Sequence, residues 1–431
     1  MKHPKFLFFT VLTILLVNLS AFSQSKDAAS KGKNTIKSNL ILPGAFNLKA
    51  YLPMIRNKNV GIFANQTSVL GKVHLVDTLR KLGVNITVIF GPEHGFRGTA
   101  DAGEKVGNYI DSATGIPVVS LYGAKRAPSA EDLKNVDVLI FDIQDVGVRF
   151  YTFISSLEAY IEAAVAFNKP LLVLDRPNPN GFYVDGPVLQ PAFKSFIGMQ
   201  PVPVVYGMTI GEYATMLVGE KWMSPNINNT LDSLKLVSKD TFKGFRLKVI
   251  PCKNYTHQSL YTLPVNPSPN LQDMGSIYWY PSTCFFEGTV LSEGRGTPTP
   301  FQIFGHPSLP KTLYAFTPVS TLGAKEPKLK NQLCYGWNLA STTKNTLQQI
   351  NNRLQLGYLL KAYQLFPDKE QFFILPKSGK AEGMFFNKLA GNKELSEQIK
   401  QGLSEEEIRK TWEPGLNAFK IIRKKYLLYA E

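Results

Sequence analysis

The chain is poor in the residues that most often announce a chemistry. Only three cysteines occur among 431 residues: Cys252, Cys284 and Cys334. An odd count forbids a complete disulfide framework and allows one bridge at most. None of the three has a CxxC partner, which excludes zinc held by cysteine pairs. The five histidines, His3, His74, His94, His257 and His306, show no HExxH or paired spacing, so no metal site is expected. No GxGxxG follows the first apolar run and no P-loop occurs, so no dinucleotide or nucleotide cofactor is expected either. There is no GxSxG nucleophile elbow, no internal repeat and no G-X-Y period. Acids are the minority charge, 33 against 48 Lys+Arg, for a net +15. The basic residues are scattered without a run of five, so nucleic acid is not the indicated partner. In an exported protein, such a surface suits an acidic polymer or an anionic substrate, or serves solubility alone.

What is present begins at the N-terminus. Lys2 and Lys5 precede the apolar run Phe6–Val17, and Ala21-Phe22-Ser23 supplies small residues for cleavage. This pattern predicts a secretory signal over residues 1–23 and export to the periplasm or beyond. Cleavage leaves 408 residues at +13. No Cys follows the run, and no later stretch reaches 18 apolar residues, so neither a lipid anchor nor a membrane span is expected. Residues 24–40 read as a flexible polar lead-in. The rest, with 44% hydrophobic and 12% aromatic residues in the whole chain, has the composition of a packed globular protein.

The first half alternates short apolar runs with helical spacing. NVGIFAN (59–65), NITVIF (85–90), PVVSL (117–121), VDVLIF (136–141) and PLLVL (170–174) are strand-like. Residues 74–82 and 150–167 carry helical periodicity. The pattern predicts a Rossmann-like α/β domain over 41–200, its parallel sheet covered on both faces. Such sheets bind ligands beyond the carboxyl ends of their strands. Three strand ends there carry acids and arginines: Glu93, His94 and Arg97; Asp142, Asp145 and Arg149; Asp175, Arg176 and Asn178. A single acid so placed is usually a cap or loop anchor, whereas three sets converging on one edge suggest a site.

The second half, 201–431, reads as a smaller α+β domain. Thr209–Glu212 and Ser404–Glu407 are capping boxes that open helices. Leu234–Val237 and Phe245–Ile250 look like strands, and 346–366 like one long helix. Two Gly/Pro-rich loops, 263–270 and 286–300, separate these elements, and the second holds Glu293 and Arg295 beside Gly294 and Gly296. A turn with a surface ion pair and a ligand-binding loop are both compatible with that composition.

Taken together and in this order, GPEHGFRGTADAG, DIQDVGVRFYTF, LDRPNPNG and FEGTVLSEGRGTPTPF resemble the exo-β-N-acetylmuramidase (NamZ-type) family from about residue 40 to the C-terminus. The resemblance implies a Rossmann-like domain joined to a smaller domain, with the active site in the cleft between them. It implies removal of N-acetylmuramic acid from the non-reducing end of peptidoglycan fragments, and it makes Glu93 the candidate catalytic residue.

Glycoside hydrolysis usually needs a carboxylic acid to protonate the leaving oxygen and a second group opposite it. Glu93 suits the first role. Glu293, Asp142, Asp145 or the substrate's own 2-acetamido group remain open for the second. Muramic acid carries a lactyl carboxylate, for which Arg97, Arg149, Arg176 and Arg295 are candidate partners, with Arg295 favoured for its flanking glycines. Tyr151, Trp279 and Tyr280 are candidates for stacking on sugar, each with core packing as the plainer role. A periplasmic sugar- or muropeptide-binding protein without turnover is the alternative reading.

Overall fold

The computed structural model describes residues 40–98, 107–235 and 245–431. The expected signal segment and nearly all of the lead-in lie outside these residues.

Apolar runs of four to seven residues become strands because both faces of the sheet they form are covered. Along the chain come α1 (Leu48–Ile55), β1 (Asn59–Ala64), a two-residue hairpin of β2 (Val69–Leu70) and β3 (Val73–His74), α2 (Leu75–Lys81), β4 (Asn85–Gly91), β5 (Tyr109–Ile110), β6 (Pro117–Ser120), α3 (Ala130–Leu133), β7 (Val138–Asp142), α4 (Phe153–Ala166) and β8 (Leu171–Leu174). After α5 (Ile210–Gly219) and α6 (Pro225–Lys235), β9 (Leu247–Ile250) completes a seven-stranded sheet in the order β5-β6-β4-β1-β7-β8-β9. All its pairings are parallel except β5 with β6.

Side chains alternate across this sheet with period two. Phe63, Leu139, Phe141, Leu171 and Val173 face α4 and join its Tyr160 and Ile161 in one core. Val60, Ile62, Val138, Ile140, Leu172 and Leu174 face the other way, against Tyr51 and Ile55 of α1 and Leu75 and Leu79 of α2. Each such fully buried side chain contributes roughly 1.5–3 kcal/mol.

The sheet thus extends past residue 200, where the sequence pattern divided the chain. β9 escaped that division because it lies beyond two helices and is short, with only Ile250 fully buried. Leu234 belongs to α6 rather than to a strand, and residues 236–237 lie outside the described ones.

The remaining elements are α7 (Met274–Thr283), an antiparallel sheet of β10 (Ile303–His306), β11 (Tyr314–Phe316) and β12 (Cys334–Asn338), and five helices, α8 (Thr343–Ile350), α9 (Gly357–Leu365), α10 (Phe385–Ala390), α11 (Glu394–Gln401) and α12 (Glu405–Lys424). The expected long helix over 346–366 is broken in two. Asn351 and Asn352 take left-handed backbone angles, φ 50° and 54°, and stop α8 as asparagine does at a helix C-cap. Both expected capping boxes form, at Thr209 and Ser404. The core on the α4 side of the large sheet runs on without a break into Trp279, Phe285, Phe304 and Trp412.

Candidate active site

Glu93 sits two residues beyond the last residue of β4. The chain reverses there through His94 and Gly95, both left-handed at φ 67° and 74°. A left-handed histidine is strained, and such backbone persists where the surroundings fix it; here His94 is buried. The turn leaves Glu93 half-buried. The Tyr122 hydroxyl donates to its Oε1 at 3.0 Å, and the Thr152 hydroxyl lies 3.4 Å from Oε2.

Glu93 and His94 line a pocket that opens to solvent. Phe150 to Phe153 form a second side, and the third comes from the second half of the chain: Ser268, Leu271, Tyr280, Arg295 and Phe301. The aromatic wall is built edge to face, Tyr280 standing 5.5 Å from Phe150, 5.8 Å from Tyr151 and 4.9 Å from Phe301. The site therefore lies where the carboxyl edge of the sheet meets the second half. Tyr151 and Tyr280, two of the aromatic candidates, line it. Trp279 is buried in the core against Tyr358 instead.

The other strand-end residues are turned inward. Asp142 and Arg176 form a two-pronged ion pair, Nε to Oδ1 at 2.6 Å and Nη2 to Oδ2 at 2.9 Å, with both side chains out of water. Asp145 accepts from the Tyr206 hydroxyl and from the Gly147 amide, and burial pushes its carboxyl up to about 7. Asp175 is held by Thr209, the Gly211 amide and Tyr429, and burial pushes it up to about 7 as well. Arg149 spends its guanidinium on the carbonyls of Pro187, Val202 and Leu389, and burial lowers it to about 9. Asn178 braces the 177–181 turn, giving its amide to Met208 and accepting from the Asn180 N–H. Arg97 is clamped on Asp111 at 2.7 and 3.0 Å. None of these lines the pocket.

The 286–300 loop is a charge cluster. Arg295 contacts Glu287 at 2.5 Å and Glu293 at 3.1 Å, and Lys328 meets Glu293 at 2.8 Å. Burial pushes the Glu293 carboxyl up, but Lys328 and Arg295 outweigh it and hold the group below the usual range. Glu293 stands behind Arg295 and does not line the pocket. The flanking glycines serve packing, because a Cβ at Gly294 would sit 2.3 Å from the Ile303 carbonyl oxygen and one at Gly296 2.4 Å from that of Val319.

Of the nominated residues, Glu93, His94, Tyr151, Tyr280 and Arg295 come together at the pocket. Tyr122, Thr152, Ser268 and Phe301 were not singled out. Thr152 and Ser268 stand inside segments the sequence did mark, but Tyr122 follows a strand with no acid at its end. Among the described residues, no group of three or more His, Cys, Asp or Glu is gathered to hold a metal ion. All three cysteines are buried and free. Among the same residues, no helix is long and apolar enough to cross a membrane.

Known proteins share this architecture throughout. Residues 60–275 match the family description "Exo-beta-N-acetylmuramidase NamZ, N-terminal", and residues 278–429 match its C-terminal counterpart. A Bacillus subtilis protein named peptidoglycan beta-N-acetylmuramidase NamZ is 36% identical over 448 residues, covering all of both chains. Two Bacteroides fragilis proteins of known crystal structure, both described as DUF1343 family proteins, superpose along nearly their whole length. One is 42% identical with a TM-score of 0.78, covering 91% of this chain and 99% of its own. The other is 28% identical with a TM-score of 0.71, covering 90% and 99%. With both halves matched in order and a full-length relative at this identity, the chain belongs to the exo-β-N-acetylmuramidase NamZ family.

Proposed function

We propose that this chain is an exo-acting glycosidase that releases N-acetylmuramic acid from the non-reducing end of peptidoglycan fragments. The observation that carries the mechanism is the lining of the pocket among the described residues: one carboxylate, Glu93, one cation, Arg295, and an aromatic wall. Glu93 is the general acid, giving its proton to the glycosidic oxygen as the bond to the anomeric carbon breaks. Asp142 is committed to Arg176, Asp145 to Tyr206 and the Gly147 amide, and Glu293 to Lys328 and Arg295, and none of the three lines the pocket, so none suits the opposite role. That role falls to the substrate's acetamido group. Its carbonyl oxygen attacks the anomeric carbon as the leaving group departs with the proton. Glu93, now ionised, then takes a proton from the water that opens the cyclic intermediate, and the β-configuration is retained. Tyr151 and Ser268 line the pocket beside Glu93. Arg295 is the partner for the lactyl carboxylate, because of the four candidate arginines it is the one that lines the pocket.

The decisive assay incubates the mature chain with a muramic-acid-terminated disaccharide and looks for free N-acetylmuramic acid, with its first-formed anomer read by NMR. Free β-anomer is the expected product. Cleavage within intact glycan, binding without turnover, or an initial α-anomer would each overturn the corresponding part of the reading.

We also read the chain as exported, on the basic, apolar and small-residue segments of residues 1–23. Secreted or periplasmic enzyme should begin at Gln24 by N-terminal sequencing. Full-length enzyme confined to the cytosol would contradict this reading.

A further inference from the structure

Tyr122 donates to Glu93 Oε1 at 3.0 Å, a good charge-assisted distance, and the Thr152 hydroxyl stands 3.4 Å from Oε2. The sheet sets the first of these contacts. β4 and β6 are adjacent and parallel, with Gly91 opposite Ser120, and the Leu121 amide continues the ladder to the Gly91 carbonyl at 2.8 Å. Glu93 and Tyr122 each stand two residues beyond that last matched pair. Their approach is therefore fixed by strand register rather than by a mobile loop. Burial and the neighbouring Glu93 charge push the Tyr122 hydroxyl up, so it stays a donor throughout the working range.

Resting on the reading of Glu93 as the acid–base group, we propose that Tyr122 is its positioning residue: the Tyr122 hydroxyl holds Oε1 and stabilises the carboxylate left when the transferable proton has gone. Among the described residues, the other ionisable groups around the carboxyl are His94 on its own turn, Tyr151 on the facing segment, Tyr280 and Arg295 across the pocket, and Arg126 beyond Tyr122. All of them remain in Tyr122→Phe, which removes one oxygen.

The test is the pH profile of kcat for the mature enzyme on the muramic-acid disaccharide, in wild type, Tyr122→Phe, Glu93→Gln and the double variant. Tyr122→Phe should lower kcat about tenfold with little change in KM, because a donor to a charged acceptor is lost. The limb belonging to Glu93 should move to higher pH by roughly one unit, since only the ionised form loses a strong bond. The phenylalanine should cost nothing further in the Glu93→Gln background. 3-Fluorotyrosine incorporated at position 122 keeps the ring and donates more strongly, so it should move the limb the other way, even if Tyr122→Phe folds poorly. A limb that stays in place in the fluorinated protein, or an undiminished loss in the double variant, would overturn the proposal while leaving Glu93 its role. Near-normal turnover by Glu93→Gln would instead remove the reading beneath it.

Discussion

Beyond β4 the chain carries Glu93 and Arg97; β7 ends on Asp142 and is followed by Asp145 and Arg149, and beyond β8 come Asp175 and Arg176. In sequence the three ends are alike. In the structure the β7 and β8 ends are roofed by later chain. The 177–210 segment lies over them, and the C-terminal residues return so that Tyr429 donates to Asp175 while His257 and the Leu428 amide converge on Glu212. Every acid there is taken up by an arginine, a hydroxyl or an amide. The β4 end, by contrast, faces Ser268, Tyr280, Arg295 and Phe301 across open space, and Glu93 keeps a path to solvent. A strand end nominates an acid for catalysis, and what lies above it decides whether the acid becomes a reagent or a strut.

The sharpest way to break this comparison is to exchange the consequences. Glu93→Gln keeps the shape and removes the transferable proton, so kcat on the natural disaccharide should fall about 10²–10⁴-fold with the melting temperature nearly unchanged. An aryl glycoside, whose leaving group needs little protonation, should lose less. Equal loss on both substrates would make Glu93 a base or nucleophile. At the β7 end the signs should reverse. Asp142→Ala strands the Arg176 guanidinium out of water and should cost roughly 3–5 kcal/mol of stability in chemical denaturation. The fraction that remains folded should still turn over substrate. A stable but inactive Asp142→Ala would show that the inward acids also do chemistry.

Arg295 tests the boundary between the two behaviours, because it is both ion-paired and pocket-lining. Two glutamates already temper its charge, which moderates what it offers a lactyl carboxylate. Arg295→Met should reduce the preference for muramic acid over N-acetylglucosamine by roughly 10–10²-fold in kcat/KM, as the lactyl group loses its partner. Glu293 keeps Lys328 in that variant. An unchanged preference would place the lactyl group elsewhere.

The parallel sheet was legible because its strands are continuous apolar runs bounded by turns, a pattern that only two-sided burial requires. β9 was legible as a strand within 245–250 but not as a member of this sheet, since an alternating LKVI carries too little apolar signal to be tied to strands 70 residues earlier. The helix break at Asn351 was hidden because the apolar period continues through 346–366 while the backbone angles do not. Glu93, His94 and Arg295 could be nominated from motif and position. Sequence could not separate them from Asp142 or Arg176, because the distinction lies in three-dimensional roofing by residues up to 250 positions away. Tyr122 was invisible for a related reason: it matters through register with β4, and register is not written in either strand alone.

The subtlest expected effect concerns pH. Asp145 lies at a roofed strand end, and burial pushes it up to about 7 in the folded chain, against roughly 3.9 when unfolded. Between these values the folded state holds a proton that the unfolded state has released. The contribution of Asp145 to stability is therefore fully present below about pH 4, falls as pH rises, and levels off above about 7. Asp175 and Glu158 slope the same way, while Asp111, Asp132 and Glu293, held low by their partners, slope oppositely. The wild-type curve is thus a sum, and only a difference isolates one group. Asn at position 145 imitates the protonated acid, since its carbonyl can still accept from Tyr206 and the Gly147 amide. Relative to wild type, Asp145→Asn should gain about 1.4 kcal/mol between pH 5 and pH 6 in paired denaturation curves. The limb of the rate profile that belongs to Glu93 should stay where it is. If the rate limb moved and the stability difference did not, Asp145 would belong with the reagents, and the division between open and roofed strand ends would fail at that residue.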